Sequence, residues 1–236
     1  MKIKAIFFDL DGTLLPMDLS EFTECYMKRF AAKMALHGYE PEHFVKAMWA
    51  GVIAMTENDG SMTNEERFWE SFSAALGKNA KTDEPLFDEF YKEEFPKIQS
   101  VCGYDERAAR IVKYAVARGY RTVLATSPIF PEIATLTRLQ WAGVDPADFE
   151  LITTFENSSY TKPNPDYYKK LCETVGLMPE ECLMVGNDMR DDMVAASIGM
   201  KVFLLTDWLI NRKNEDISLY PNGSFEELKN FIDALN

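Results

Sequence analysis

Two aspartates stand two residues apart at the end of an apolar run, in the stretch FFDLDGTLL over residues 7–15. In an extended chain, side chains two residues apart point to the same side. A carboxylate at a strand end can attack phosphorus to form an aspartyl-phosphate, which is the role predicted for Asp9. Asp11, on the same side, could then protonate the leaving oxygen and activate water. Gly12 would allow a positive φ or a close approach of the backbone to a ligand. The stretch predicts covalent phosphoryl transfer at the end of a buried strand.

Polar side chains also follow the later apolar runs of the chain. In chain order they are Thr126, Ser127, Lys162, Asp188, Asp191 and Asp192. Ligands of an open parallel sheet bind at the carboxyl ends of its strands, so we expect these groups to converge with Asp9 and Asp11. Carboxylates packed together stay ionised only when a cation relieves their repulsion. Oxygen ligands without nearby histidine or cysteine favour Mg²⁺, and Thr126 and Lys162 would bind phosphoryl oxygens.

The order of apolar runs and helical patterns predicts the elements that position these groups. Strand-like runs are predicted at 3–8, 120–126, 149–155, 181–188 and 200–207. Helical patterns lie between the later runs, and a last helix begins with a capping box of Ser224 and Glu227. Strands that alternate with helices indicate parallel pairing with right-handed crossovers. The predicted fold class is α/β, with a Rossmann-like doubly wound parallel sheet.

The interval from residue 16 to residue 100 breaks this alternation, because it has no strand-like run bounded by turns. Amphipathic helices are predicted at 19–38, 41–58, 64–77 and 84–99. Their Met and aromatic residues, at helical spacing, are expected to form a core of the insert, with one or two of them lining the substrate pocket. The predicted organisation is a catalytic core of residues 1–15 and 101–236 and an all-helical cap of residues 16–100.

Composition and charge limit the classes of partner. The 236 residues are 47% hydrophobic and can bury a substantial core. A formal net charge of −13 disfavours nucleic acid and anionic lipid as partners. The four cysteines lack CxxC spacing, and no apolar run has the length of a signal-peptide core or a membrane span. The expected location is the cytoplasm, and no oligomeric state is predicted.

Four segments together resemble the motifs of the haloacid dehalogenase (HAD) superfamily of phosphohydrolases. In chain order they are DLDGT at 9–13, VLATS at 123–127, KPNPDYY at 162–168 and VGNDMRDDM at 185–193. The resemblance covers residues 1–15 and 103–207, and the helical insert sits where the helical cap of that family enters. One departure lies in the second motif, where Ser127 and Pro128 stand where the family often has asparagine after the threonine.

The resemblance implies a role for each matched residue. The implied catalytic and phosphate-binding residues are the nucleophile Asp9, the general acid and base Asp11, and the phosphate binders Thr126, Ser127 and Lys162. The implied Mg²⁺ ligands are the acids of the first and last motifs, Asp9, Asp11 through its carbonyl, Asp188 and Asp192. Asp191 is an alternative to Asp192 as the second acid of the last motif. Members that cleave carbon–halogen bonds lack the second acid of the first motif, so Asp11 favours phosphate esters.

The predicted protein is a Mg²⁺-dependent phosphatase that hydrolyses a small phosphorylated metabolite through an aspartyl-phosphate. One alternative is a phosphomutase of the same superfamily, which passes the phosphoryl group to a sugar instead of water. The other is a non-catalytic phosphate-binding switch, since receiver proteins also place acids, a hydroxyl and a lysine on a parallel sheet. A calcium-binding EF-hand loop is excluded, because its sixth and twelfth positions would be Leu14 and Ser20.

Overall fold

A parallel sheet forms the centre of the protein in the computed structural model, which describes residues 2–235. Its strands within those residues are β1 (Ala5–Phe8), β2 (Arg121–Leu124), β3 (Leu151–Ile152), β4 (Cys182–Gly186), β5 (Lys201–Leu205) and β6 (Asn222–Gly223). They lie in the order β3-β2-β1-β4-β5-β6, and each neighbouring pair is parallel. The sheet order reverses direction at β1, which is where open α/β sheets place their ligands. The predicted Rossmann-like α/β fold is confirmed.

The α-helices follow the predicted alternation. They are α1 (Leu19–Ala35), α2 (Pro41–Thr56), α3 (Asn64–Leu76), α4 (Glu84–Glu93), α5 (Glu106–Ala117), α6 (Glu132–Trp141), α7 (Pro165–Val175) and α8 (Phe225–Asp233). Helix α8 begins at the expected capping box, in which Ser224 and Glu227 satisfy each other's backbone N–H groups. Helices α1 to α4 occupy the predicted insert. Its division from a core of 1–15 and 101–236 stays a prediction, and residues 1 and 236 lie outside the described part of the chain.

Two local features differ from the sequence prediction. Strand β6 has no predicted counterpart, because Asn222–Gly223 carries no apolar pattern; it is formed by pairing with Leu204 and Leu205 of β5. The helix predicted at 84–99 ends at Glu93, and a 3-10 helix, Phe95–Val101, replaces its last part. Pro96 lacks the N–H that a continuing α-helix requires, so the backbone changes its hydrogen-bond pattern there.

Both faces of the sheet are buried, which explains why β1 is apolar at every position. Ile6 and Phe8 belong to one hydrophobic cluster, and Ala5 and Phe7 belong to the other. Alternate side chains of a strand point to opposite faces, and helices cover both faces of a parallel sheet. The first cluster continues into the insert helices. The residue that follows β1, Asp9, therefore lies inside the protein at the carboxyl edge of the sheet.

Aromatic side chains hold the insert helices together and join them to the rest of the protein. Phe30 of α1 stacks on Phe90 of α4 with ring centroids 3.8 Å apart, and the Tyr26 and Tyr91 hydroxyls are 2.8 Å apart. Tyr26 also packs against Phe130, which follows β2, at a centroid distance of 5.3 Å. The insert thus forms an aromatic core, as expected, and that core is continuous with the one beside the sheet.

Within residues 2–235, no helix combines the length and apolar character of a membrane span.

Candidate active site

Asp9 is held at the junction of β1 and β4 by three hydrogen bonds. Its N–H donates to the Val185 carbonyl at 2.9 Å, which extends the pairing of the two strands by one residue. Its carboxylate accepts from Lys162 Nζ at 2.7 Å on Oδ1 and from Thr13 Oγ1 at 2.9 Å on Oδ2. The residue is 7% exposed. The carboxylate predicted to be the nucleophile is therefore oriented by groups on both of its oxygens.

Lys162 joins the first and last motifs. Its ammonium lies 2.7 Å from Asp9 Oδ1 and 2.6 Å from Asp192 Oδ1, and the side chain is buried. Burial lowers the pKa of Lys162, but the charges of Asp192 and Asp9 outweigh it and hold that pKa well above its ordinary value. A charged ammonium thus lies beside the predicted nucleophile, and binding of phosphoryl oxygens by Lys162 stays a prediction.

Asp192 connects Lys162 to the loop that follows β4. Its second oxygen accepts from the N–H of Asp188 at 2.9 Å. Burial raises the pKa of the Asp192 carboxyl to about 7, against the lowering effect of Lys162. This contact with Lys162 favours Asp192 over Asp191 as the second acid of the last motif. Metal ligation by Asp192 stays a prediction.

Asp188 lies at the end of β4 with its carboxylate in contact with a cation. One oxygen accepts from the N–H groups of Arg190 at 2.8 Å and Asp191 at 3.1 Å, and the other accepts from Arg212 at 2.8 Å. Arg212 comes from the segment after β5, and its side chain is exposed. Sequence analysis did not identify Arg212, because nothing in its local pattern shows that the loop folds back over β4.

Asp11 pairs with a buried arginine that sequence analysis also missed. Arg138 of α6 donates to Asp11 Oδ2, and its guanidinium lies 4.4 Å from the centre of the Phe130 ring. Burial raises the pKa of the Asp11 carboxyl, Arg138 lowers it, and Asp9 adds to the rise. The other oxygen, Oδ1, is buried without a hydrogen-bond partner. A carboxyl in this environment is suited to carry a proton toward a leaving group.

The sequence does contain a signal for Arg138. Ala134, Arg138 and Trp141 recur at helical spacing on the buried face of α6. Arginine is almost never fully buried unless it is paired, so an arginine on that stripe indicates a carboxylate partner in the interior. The identity of that partner depends on the tertiary structure and could not be read from the helix alone.

The predicted phosphate binders Thr126 and Ser127 lie just beyond β2. Ala125 N donates to the Phe8 carbonyl at 2.7 Å, which brings the ends of β2 and β1 together. The Thr126 carbonyl accepts from Thr153 Oγ1 at 2.7 Å and Tyr167 OH at 2.8 Å. Within residues 2–235, no hydrogen bond joins either predicted side chain to Asp9 or Lys162. The backbone of this segment is fixed, and phosphate binding by its side chains stays a prediction.

Asn187 is a further polar contact of the site that sequence analysis missed. Its Oδ1 lies 3.1 Å from Thr13 Oγ1, and its Nδ2 donates to the Trp208 carbonyl at 2.6 Å. Gly12 makes room for this amide: its φ is +81°, and a Cβ added there would collide with the Asn187 side chain. The turn after β1 therefore depends on glycine for both conformation and space.

We expect Gly12→Ala to destabilise the protein more than Gly38→Ala. Gly38 has a similar φ, +86°, but nothing lies within 4 Å of an added Cβ. Both variants lose roughly 1–2 kcal/mol from the left-handed conformation, and Gly12→Ala loses about 1–3 kcal/mol more because Asn187 must move. Urea unfolding of the two variants measures the difference. Equal losses would mean that the contact between Gly12 and Asn187 is unimportant.

Basic side chains pair with the negatively charged carboxylates of the site. Lys162, Arg138 and Arg212 each contact one or more of the site carboxylates. In the described residues, no three His, Cys, Asp or Glu side chains are grouped so that they could hold a metal ion. Mg²⁺ does not require such a group, because it is commonly bound by one or two carboxylates with water and substrate phosphate completing its shell. Asp9 and Asp188 are the two carboxylates that are predicted to bind the ion.

Comparison with known proteins gives the family. A model of haloacid dehalogenase-like hydrolases matches residues 3–199. The chain is 27% identical to a glyceraldehyde 3-phosphate phosphatase of Pyrococcus furiosus, over 99% of this chain and 93% of that protein. It is 22% identical to pyrophosphatase PpaX of Bacillus cereus, over 100% of this chain and 98% of that protein.

The fold has relatives among solved structures. The crystal structure of a predicted phosphoglycolate phosphatase from Haemophilus somnus 129PT has a TM-score of 0.58 and 20% sequence identity, and 98% of each chain is covered. The matched residues 3–199 contain all four motifs. In the structure, Lys162 of the third motif contacts Asp9 of the first and Asp192 of the last. The chain belongs to the haloacid dehalogenase-like hydrolases.

Proposed function

We propose that this protein is a Mg²⁺-dependent phosphatase that hydrolyses small phosphate monoesters through an aspartyl-phosphate on Asp9. The observation that carries the proposal is the Asp9 carboxylate itself. It lies at the carboxyl edge of the sheet, with the Lys162 ammonium on one oxygen and the Thr13 hydroxyl on the other. Relatives named for glyceraldehyde 3-phosphate and pyrophosphate hydrolysis support a phosphate-containing substrate.

The chemistry assigns one step to each carboxyl. An Asp9 oxygen attacks phosphorus, the bond from phosphorus to the ester oxygen breaks, and Asp11 gives its proton to the departing oxygen. Water then attacks the phosphorus of the aspartyl-phosphate and gives a proton to Asp11. Free phosphate leaves, and the Asp9 carboxylate is restored. Lys162 stabilises the charge on the phosphoryl oxygens in both steps.

The Asp9 and Asp188 carboxylates and the Asp11 carbonyl are the groups that would hold Mg²⁺. Bound there, the ion would neutralise charge on the phosphoryl group and on the acids around it. The contact of Asp188 with Arg212 supports this assignment, since it shows that the carboxylate accommodates a positive charge on its exposed side.

If Arg212 and Mg²⁺ compete for Asp188, Arg212→Gln will bind Mg²⁺ more tightly. We expect the dissociation constant to fall about two- to five-fold, because the lost pair is partly exposed and of modest strength. Isothermal titration calorimetry in phosphate-free buffer measures the change. Lys213→Gln is the matched control, because it removes the same charge from the same loop without an ion pair to Asp188. An equal effect of both substitutions would show long-range charge and not competition.

A panel of phosphate esters tests the proposed function. Purified protein is incubated with methyl phosphate, sugar phosphates and phosphoglycolate, with Mg²⁺ or with a chelator, and free phosphate is measured. We expect phosphate release that depends on Mg²⁺. Isomerised sugar phosphate without free phosphate would instead identify a mutase, and phosphate binding without any turnover would identify a switch protein.

The remaining expectations concern organisation and location. We propose that residues 16–100 act as a cap that closes over a catalytic core of residues 1–15 and 101–236 and excludes water from the aspartyl-phosphate. The net charge of −13 supports small metabolites over nucleic acids as partners. The cytoplasm remains the proposed location.

A further inference from the structure

A partly enclosed, mainly apolar cavity lies between the insert helices and the segment after β2. Its volume is 310 Å³, which is within the range of small-ligand pockets. Aromatic side chains from both parts of the protein form its walls, including Phe22, Tyr26, Trp49, Trp69 and Phe130. Neither the acids of the site nor Lys162 lines it, so it is not the place where the phosphoryl group binds.

The cavity adjoins a larger open cleft of 960 Å³, and Leu19, Thr23, Met27 and Trp49 line both spaces. The cleft is also lined by Trp208 and Arg212. The two spaces are therefore direct neighbours.

The cleft borders the catalytic residues along two routes. Arg212 binds the Asp188 carboxylate at 2.8 Å. The Trp208 carbonyl accepts from Asn187 Nδ2, and Asn187 Oδ1 lies 3.1 Å from the hydroxyl of Thr13, the partner of Asp9. The cleft is therefore adjacent to the acids of the site.

One tryptophan lines each side of this cleft. Trp49, on α2 of the insert, is 43% exposed, and Trp208, after β5, is 45% exposed. Both line the cleft. Large aromatic surfaces that face water in a concave site contribute binding energy when a ligand covers them. The pair provides an apolar wall on the insert side and another on the opposite, sheet-bearing side.

The charges of the cavity exclude an anionic occupant. No lysine, arginine or histidine lines it, whereas Glu65, Glu84, Asp88 and Glu156 do. Lys81 neutralises two of these carboxylates, at 2.5 Å from Glu65 and 3.0 Å from Glu84. A second carboxylate or phosphate on the ligand would meet like charge without a cation to pair with, and burying it would be costly.

We propose that the cavity and cleft bind the leaving group of the substrate, and that this group is an aryl or medium-length alkyl alcohol without a negative charge. The proposal rests on the proposed phosphatase function. It separates this chain from the relatives named for glyceraldehyde 3-phosphate and pyrophosphate, whose leaving groups are small and polar or charged.

A series of n-alkyl phosphates from methyl to octyl, with phosphoglycolate as the anionic comparison, tests the proposal. Each buried methylene contributes about 0.8 kcal/mol, so kcat/KM is expected to rise about fourfold per carbon until the cavity is full. Phosphoglycolate should react more slowly than propyl phosphate. Trp49→Ala and Trp208→Ala should each reduce the gain in kcat/KM per added carbon, measured as the ratio of kcat/KM for hexyl phosphate to that for methyl phosphate. Leu36→Ala is the control, because Leu36 is 80% exposed and lines neither space.

Binding of alkylphosphonates, which have no ester bond to cleave, separates the two proposals. Hexylphosphonate should bind at least tenfold more tightly than methylphosphonate, measured by tryptophan fluorescence. If all the esters are inert but this preference is present, the phosphatase function fails and the apolar site stands. If methyl phosphate and phosphoglycolate are hydrolysed but chain length has no effect on kcat/KM or on phosphonate binding, the apolar site is refuted and the phosphatase function stands.

Discussion

Asp9→Asn is expected to lower kcat for phosphate monoesters by a factor on the order of 10³ or more, because an amide cannot replace a carboxylate as the attacking nucleophile. The amide oxygen can still accept from Thr13 or Lys162, so the substitution changes the reactivity of the group more than its position. Initial rates with saturating p-nitrophenyl phosphate and Mg²⁺ measure the effect. Circular dichroism and urea unfolding show whether the variant keeps its fold.

Asp166→Asn is the control for this experiment. Asp166 is a partly exposed acid in the first turn of α7, and its partner is Lys169, also on the surface. The same change of charge there should leave kcat within a factor of two of wild type. If Asp9→Asn retained more than a tenth of the wild-type kcat with an intact fold, Asp9 would not be the nucleophile.

The parts of the site that sequence analysis found share one property. Asp9, Lys162 and Asp192 follow or lie near the carboxyl ends of strands, and the topology of a parallel sheet brings such positions together whatever their separation in the chain. Apolar runs mark those strands in the sequence. The two contacts of Lys162, with Asp9 and with Asp192, are the geometric result.

The parts that it missed depend on how helices and loops pack. Arg138 lies within a helix, and its partner is determined by the rotation of α6 against the sheet. Arg212 reaches Asp188 from the segment after β5, which has no regular pattern in the sequence, and Trp208 of the same segment holds the Asn187 amide. Local periodicity predicts elements, but it does not give the contacts between side chains of different elements. The missing strand β6 has the same cause, since a two-residue strand is defined by its partner.

The pairing of Arg138 with Asp11 is expected to contribute to the stability of the protein. Arg138 is 0% exposed, and its guanidinium also donates to the Ala134 carbonyl at 3.3 Å and to Thr135 Oγ1 at 3.3 Å. Arg138→Met fills similar space but leaves the Asp11 carboxylate, whose side chain is 20% exposed, without its cation. Breaking a fully buried pair costs about 3–5 kcal/mol of unfolding free energy, and the partial exposure of Asp11 lowers the expected loss to about 2–3 kcal/mol. Gln140→Met, on the exposed face of the same helix, should change it by less than about 0.5 kcal/mol.

A double-mutant cycle distinguishes the pair from the packing of Arg138 alone. Asp11→Asn leaves the arginine without its anion and should also destabilise, whereas Arg138→Met combined with Asp11→Asn removes both charges. We expect the double variant to be at least about 1 kcal/mol more stable than the sum of the single losses implies. Urea unfolding of the four proteins gives the coupling energy, and strict additivity would rule out a significant ion pair.

The pH dependence of Arg138→Met gives an independent check with a defined sign. Burial already raises the pKa of Asp11 in the folded protein, with Arg138 opposing, so removing Arg138 raises it further. The unfolded carboxyl has its ordinary pKa, and a raised folded pKa means that the native state binds the proton more tightly. The free-energy cost of keeping an ionised Asp11 in the folded protein is therefore absent below the unfolded pKa. It grows as pH rises above that value and is complete once the pH has passed the folded pKa. The loss of stability relative to wild type should shrink as pH is lowered, because Asp11 then becomes neutral and no longer needs a cation. A loss that stayed constant from neutral to acidic pH would show that Arg138 stabilises the protein through packing against Phe130 and not through the charge of Asp11.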